Sequence, residues 1–214
     1  MTPSAVTVQV DDREKLPLLF PATVRVWTGQ KSRLVRVSVE RVRLNCGDYR
    51  LKEAPRLCLV ERKGSAEELY RNLMDPEDSR RQARAFSRLA RGARYPYLLV
   101  ETAASTLLCR TPRTPEPERF LQRLSRVLSQ FGLHLMLLPQ TSTSASRRVA
   151  GTLVIQLALG HLESDNGNSG SNEGGDVASV GVRVESLTCG ADEPSTTATD
   201  GGRERSTAPT VPSP

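Results

Sequence analysis

The chain has 214 residues, 30 Lys and Arg against 24 Asp and Glu, and a formal net charge of +6. Its longest apolar run, residues 149–159, is too short to span a bilayer and is interrupted by Gln156, and the opening Met-Thr-Pro-Ser-Ala lacks the basic–apolar order of a signal peptide. Cys46, Cys58, Cys109 and Cys189 form no C-x-x-C pair and no disulfide framework. These features argue against a membrane protein, a secreted protein and a zinc site, and lead us to expect a soluble intracellular protein, cytoplasmic or, in a eukaryote, nuclear.

The charge is unevenly spread. Residues 1–163 hold 27 Lys and Arg against 16 Asp and Glu, whereas residues 164–214 hold 3 against 8. The second stretch is built from Gly, Ser, Thr, Asn, Asp and Pro and cannot bury enough surface to offset its ordering entropy. We therefore expect one basic domain, 1–163, followed by a disordered acidic tail, 164–214, in which only 177–187 has any strand character. A basic domain attracts polyanions, nucleic acid foremost.

The elements follow in chain order. Val6, Val8 and Val10 alternate with polar residues and predict a first strand, ending in Asp11-Asp12-Arg13-Glu14. After an apolar loop bracketed by Pro17 and Pro21, residues 24–39 read as a β-hairpin whose second strand runs on to Leu44, with Arg36, Arg41 and Arg43 exposed and Trp27 packed on the hairpin. Gly47 breaks this pattern ahead of Asp48 and Tyr49, and residues 57–63 form a further strand, apolar at its start. Ser65 caps a helix with Glu67 and Glu68 in its first turn.

A longer helix is predicted over 78–94. At 100° per residue, Arg80, Arg84, Arg88 and Arg91 fall on one arc flanked by Arg81 and Arg94, opposite Phe86, Leu89 and Ala93. Six arginines without an acid on the stripe favour contact with phosphates. Then come a strand at 97–101, a helix around 120–131, a strand at 133–138 and a final helix over 148–162 that is apolar almost all round. Strands alternating with helices predict an α/β fold, with a mixed, mainly parallel sheet flanked by helices. Cys58 and Cys109 are expected to be buried thiols, and His134 and His161 to have no chemical role.

One constellation carries chemistry. Glu61 and Lys63 lie two apart on a strand and so share a face. Asp48 ends the preceding segment. Two carboxylates and an ammonium at one sheet edge suit Mg²⁺ or Mn²⁺ and the hydrolysis of a phosphodiester. Glu101 ends a neighbouring strand and is expected to support the site.

In order, Asp11-Asp12-Arg13-Glu14, Gly47-Asp48-Tyr49 and Glu61-Arg62-Lys63 resemble the nuclease domain of the xeroderma pigmentosum group F and Hef family, over about residues 6–140. The resemblance implies a restriction-endonuclease-like fold and a divalent-metal-dependent endonuclease of DNA repair that cuts branched or flapped DNA. By it, Asp11, Asp48 and Glu61 are metal ligands and Lys63 is the catalytic lysine. Arg13, Glu14 and Arg62 are supporting members, and Glu67 stands where the family has Asp. The resemblance implies DNA as partner, admits a homodimer and calls for no small-molecule cofactor. We expect the polar tail not to supply the tandem helix-hairpin-helix domain that follows the nuclease domain in that family. The competing readings are a catalytically silent DNA-binding module of the same fold, and a nuclease acting on RNA or at ends.

Overall fold

Alternating valines place the first strand, β1 (Ala5–Asp11), with Val6, Val8 and Val10 buried on one side and Thr7, Gln9 and Asp11 on the other. This comes from a computed structural model of the chain, which describes residues 3–168. The expected tail, including 177–187, lies almost wholly outside the described residues. The hairpin is present as β2 (Thr23–Thr28) and β3 (Lys31–Val42), followed by β4 (Tyr49–Leu51) and β5 (Cys58–Lys63). Then come α1 (Ala66–Met74), α2 (Pro76–Gly92), β6 (Tyr95–Glu101), α3 (Ala104–Leu108), α4 (Pro117–Phe131), β7 (His134–Leu138) and α5 (Ser144–Asn168).

The seven strands form one sheet in the order β2-β3-β1-β4-β5-β6-β7. It is mixed, as expected. β1 pairs parallel with β3, β5 with β6 and β6 with β7, while the other three pairings are antiparallel. One face carries Val6, Val8, Val10, Tyr49, Val60 and Leu99 and is packed by α5 through Val154, Ile155 and Leu159. On the other, Leu59, Leu98 and Val100 meet α1, α2 and α4 through Leu69, Phe86, Leu89, Phe120 and Leu124. At about 1.5–3 kcal/mol for each large side chain buried, these two layers supply the main drive to fold.

Local chemistry sets the element ends. Ser65 caps α1 by accepting the Glu68 N–H, and Asp75 accepts the Glu77 and Asp78 N–H groups to open α2, with Pro76 at its first turn. Gly132 closes α4 in the left-handed conformation, at φ +60°.

Four expectations need correction. Trp27 is 61 % exposed, because its side of the hairpin carries no helix. Cys109 is exposed, in the loop after α3, whereas Cys58 is buried and its thiol is pushed up to about 12 by that burial. Helix α5 is not buried all round: Val149 and Leu153 face outward, since only one of its faces meets the sheet. Arg36 and Arg41 are both exposed but lie on opposite sides of β3, being an odd number of residues apart. No helix among the described residues is long and apolar enough to cross a membrane.

Helix α5 approaches the loop between β1 and β2 through Gly151. An alanine normally gains about 0.5–1 kcal/mol over glycine inside a helix, but a Cβ here would lie 2.2 Å from the Leu19 carbonyl oxygen. Gly151→Ala is therefore expected to destabilise the protein by about 1–3 kcal/mol. A melting temperature equal to or above that of the parent chain would contradict this packing.

Candidate active site

Sheet order brings the sequence-predicted residues together. Strand β4 lies between β1 and β5, so the segment entering β4 is held from both sides. The Asp48 N–H donates to the Val60 carbonyl at 2.7 Å, and the Asp48 carbonyl accepts the Asp11 N–H at 2.9 Å. The Asp48 carboxylate accepts the Arg62 N–H at 2.7 Å, which seats it beside the residue between Glu61 and Lys63. Gly47 makes this entry possible. Its φ is +68°, and a Cβ would lie 3.2–3.3 Å from Leu89, Leu59 and the Val60 carbonyl.

On β5, Glu61 and Lys63 do share a face, with the Lys63 ammonium donating to Glu61 at 3.0 Å. Lys63 is buried and also donates to Gln82 of α2 at 3.3 Å, with Glu68 of α1 3.9 Å away. Glu68 accepts the Gly64 N–H, while its neighbour Glu67 is held below the usual carboxylate range by its own N–H and the Ser65 hydroxyl. Of the two acids in the first turn of α1, it is Glu68 that turns toward the lysine. Gln82 and Glu68 escaped the sequence reading. Both sit on helices, and no periodicity shows which helical polar group lies over a given strand residue.

Asp11 is 1 % exposed, and its four lone-pair sites are all used. Arg13 donates three hydrogen bonds to it, from the backbone N–H, Nε and Nη2, and Leu44 donates its N–H. The Arg13 side chain, outweighing burial, holds this carboxyl down at about 2. Direct ligation by Asp11 would require it to give up one of these bonds, so in this arrangement it anchors the Arg13 turn.

Arg62 points to the opposite face of β5. Its guanidinium is nearly buried, forms ion pairs with Glu101 and, at 3.0 Å, with Glu14, and donates to the Leu16 carbonyl. Glu101 also accepts the Thr141 N–H at 2.9 Å. Arg62 thus ties the loop after β1, the end of β6 and the segment before α5 to the strand that carries Glu61 and Lys63. Removing one partner of such a buried pair costs about 3–5 kcal/mol.

A cleft of about 210 Å³ opens at this edge. Its lining includes Asp11, Glu14, Asn45, Asp48, Glu61 and Arg88. Of the six predicted contact arginines, all exposed, Arg88 borders the cleft. Arg81 pairs with Asp78, and Arg94 lies beyond the end of α2 and pairs with Asp165. Arg80, Arg84, Arg88 and Arg91 make no ion pair among the described residues.

Burial and the nearby Glu61 push the Asp48 carboxyl up to about 7. Two oxygen-donor carboxylates that repel each other suit a hard cation, and Mg²⁺ is commonly held by one or two carboxylates together with substrate phosphates. Asp48 and Glu61 fit that pattern, although no group of three or more acidic, His or Cys side chains among the described residues is set to enclose an ion. The Tyr49 ring is fully buried, its hydroxyl accepts the Leu18 N–H, and it is a core residue. His161 stacks on Tyr95 and hydrogen-bonds the Tyr97 hydroxyl at 2.7 Å, away from the cleft.

The comparisons with known proteins bear on the fold. No family model and no curated protein matches the chain. Among solved structures, it is similar to XPF from Aeropyrum pernix, with a TM-score of 0.50 and 19 % identity, over 85 % of this chain and 70 % of that one. A second match is XPF from Aeropyrum pernix in complex with DNA, with a TM-score of 0.48 and 20 % identity, over 75 % and 66 % of the two chains. At this identity, the first likeness is one of fold: a mixed seven-stranded α/β sheet flanked by helices.

The raised Asp48 carboxyl makes a prediction about stability. The folded state holds a proton that the unfolded chain releases near the ordinary aspartate value of 3.8. Stability of the metal-free protein therefore falls as pH rises from about 4 to about 7. Asp48→Asn should melt several degrees higher than the parent at pH 8, at about 2–4 °C per kcal/mol, and the gap should close near pH 4. Added Mg²⁺ should raise the melting temperature of the parent and leave the variant unmoved. Equal melting curves at pH 8 would contradict the assignment.

Proposed function

We propose that this chain is a divalent-metal-dependent endonuclease that hydrolyses DNA phosphodiester bonds at branched or flapped structures. The observation that carries this reading is the fastening of the Asp48 carboxylate to the Arg62 amide, between Glu61 and a lysine that itself contacts Glu61. Three groups from two stretches, Asp48 at the entry to β4 and Glu61 with Lys63 on β5, then stand close together, an arrangement suited to hydrolysis of a phosphodiester.

Asp48 and Glu61 are the residues that would hold Mg²⁺ or Mn²⁺. Such an ion polarises a phosphate oxygen and lowers the pKa of a water when bound. The chain's own groups do the rest. Lys63, fixed by Glu61 and Gln82, would hold the attacking water in line and counter charge that builds on the phosphate. Arg88 at the rim and Arg80, Arg84 and Arg91 along α2 would grip flanking phosphates, which makes binding salt-dependent. Asp11 with Arg13, and Arg62 with Glu14 and Glu101, would position the walls without touching the scissile bond. DNA rather than RNA follows from the motif resemblance alone.

The test is incubation with flapped, forked and plain duplex DNA in Mg²⁺, Mn²⁺ or EDTA, beside Lys63→Ala. Cleavage should require metal and fall by about two orders of magnitude or more in the variant. Cleavage that persists equally in Lys63→Ala removes this site from consideration. Tight, salt-sensitive binding without any cleavage assigns the chain instead to a silent DNA-binding module.

A further inference from the structure

The sheet face that bears Glu61 and Lys63 is covered by helices only in part. Helices α1, α2 and α4 pack over β5, β6 and β7. On β2 and β3, Arg25, Trp27, Leu34, Arg36 and Ser38 are turned to that same face and exposed, and Ser32, Glu40 and Val42 are partly exposed on it. The sheet therefore continues from the acidic cleft as an open shelf and ends in the β2–β3 hairpin, whose tip reaches past the start of β1.

The far end of the shelf has an unusual surface. Trp27 is 61 % exposed and is the only tryptophan in the chain, and Leu34 beside it is 56 % exposed. Around them, Arg25, Lys31 and Arg36 form no ion pair among the described residues, Arg25 donating only to the Ser32 hydroxyl. The acids nearer the cleft are already answered: Glu40 by Lys52 and Gln9, Glu53 by the Thr7 N–H. A bare indole among unpaired cations offers an aromatic stacking surface with charge for phosphates, the pairing used to hold unpaired nucleic-acid strands.

We propose that the shelf carries a single-stranded arm of the DNA substrate, with Trp27 stacked on one of its bases and Arg25, Lys31 and Arg36 on its phosphates. This rests on the nuclease reading and adds to it a physical basis for preferring flapped over plain duplex DNA, since a base inside a duplex is stacked on both faces and has none to offer the indole. Trp27 pairs with Ser32 and Asp11 with Val42, ten residues apart on β3. At about 3.3 Å per residue this is ~33 Å, so the arm needs at most about ten nucleotides, the number at duplex spacing, to reach the indole from the cleft, and fewer when it is stretched.

The single tryptophan makes the contact directly observable in EDTA, with no cleavage needed. Forked DNA with a long single-stranded arm should quench Trp27 emission. It should bind the parent roughly five- to a hundredfold tighter than Trp27→Ala, the loss expected for one base–aromatic stack. Trp27→Phe should recover most of that affinity, and circular dichroism should show all three proteins folded alike. DNA whose arm is trimmed to about three nucleotides should bind parent and Trp27→Ala equally and leave the emission unchanged. Binding of the long arm without quenching, equal affinity of parent and Trp27→Ala for it, or equal quenching by blunt duplex would each overturn the proposal and leave the nuclease reading standing. Emission that shifts with protein concentration in the absence of DNA would assign the hairpin to a second copy of the chain and overturn it too. Failure to bind any DNA would remove the nuclease reading and this inference with it.

Discussion

The candidate site hangs on the way one residue, Asp48, is fastened between two strands. Its N–H, its carbonyl and its carboxylate are each committed to a neighbour: Val60, Asp11 and Arg62. These bonds put a carboxylate in place without any freedom of its own main chain, and they do so only because β4 lies between β1 and β5. The left-handed turn at Gly47 is the local condition for that approach. A side chain there would strain the backbone and crowd Leu59, Leu89 and the Val60 carbonyl.

A second commitment lies on the other side of β5. Arg62 is the residue between Glu61 and Lys63, and its buried pairs with Glu101 and Glu14 hold the loop after β1 and the segment before α5 against that strand. A charge taken out of water is expensive unless it is met by partners of good geometry, so this hub resists rearrangement. The two faces of one short strand thus divide the work. The face turned to α1 and α2 carries the groups that would meet substrate, and the opposite face carries the pairing that keeps the strand still. The raised Asp48 carboxyl shows the opposite balance. Burial, together with the nearby Glu61, raises it at a cost in stability, a balance often found where a fold makes room for a ligand.

The distribution of positive charge follows the same division. Arg88, which borders the cleft, and Arg80, Arg84 and Arg91 on the same helix have no acidic partner among the described residues, while Arg81 and Arg94 are drawn into pairs with Asp78 and Asp165. On the hairpin, unpaired cations surround an exposed indole. Charge left unanswered in a folded chain is free to meet a polyanion.

Much of this was legible in the linear order of residues. Period-two alternation announced β1 and β3, and the two-residue spacing of Glu61 and Lys63 put them on one face. Gly47 announced a turn ahead of Asp48, and Ser65 the start of a helix. These follow from local sterics and local hydrogen bonding, which neighbours in sequence settle among themselves. What remained hidden depended on contacts between distant residues. The saturation of Asp11 by Arg13 and Leu44, the choice of Glu68 over Glu67 to face Lys63, the reach of Gln82 from α2, and the bare surface around Trp27 were decided by which element lies over which. The sequence by itself determined which groups were available and on which side of each strand they stood. Only the tertiary structure decided which of them were already occupied by partners and which were left open, because a hydrogen bond or an ion pair is filled by whatever the fold brings near, whatever its distance along the chain.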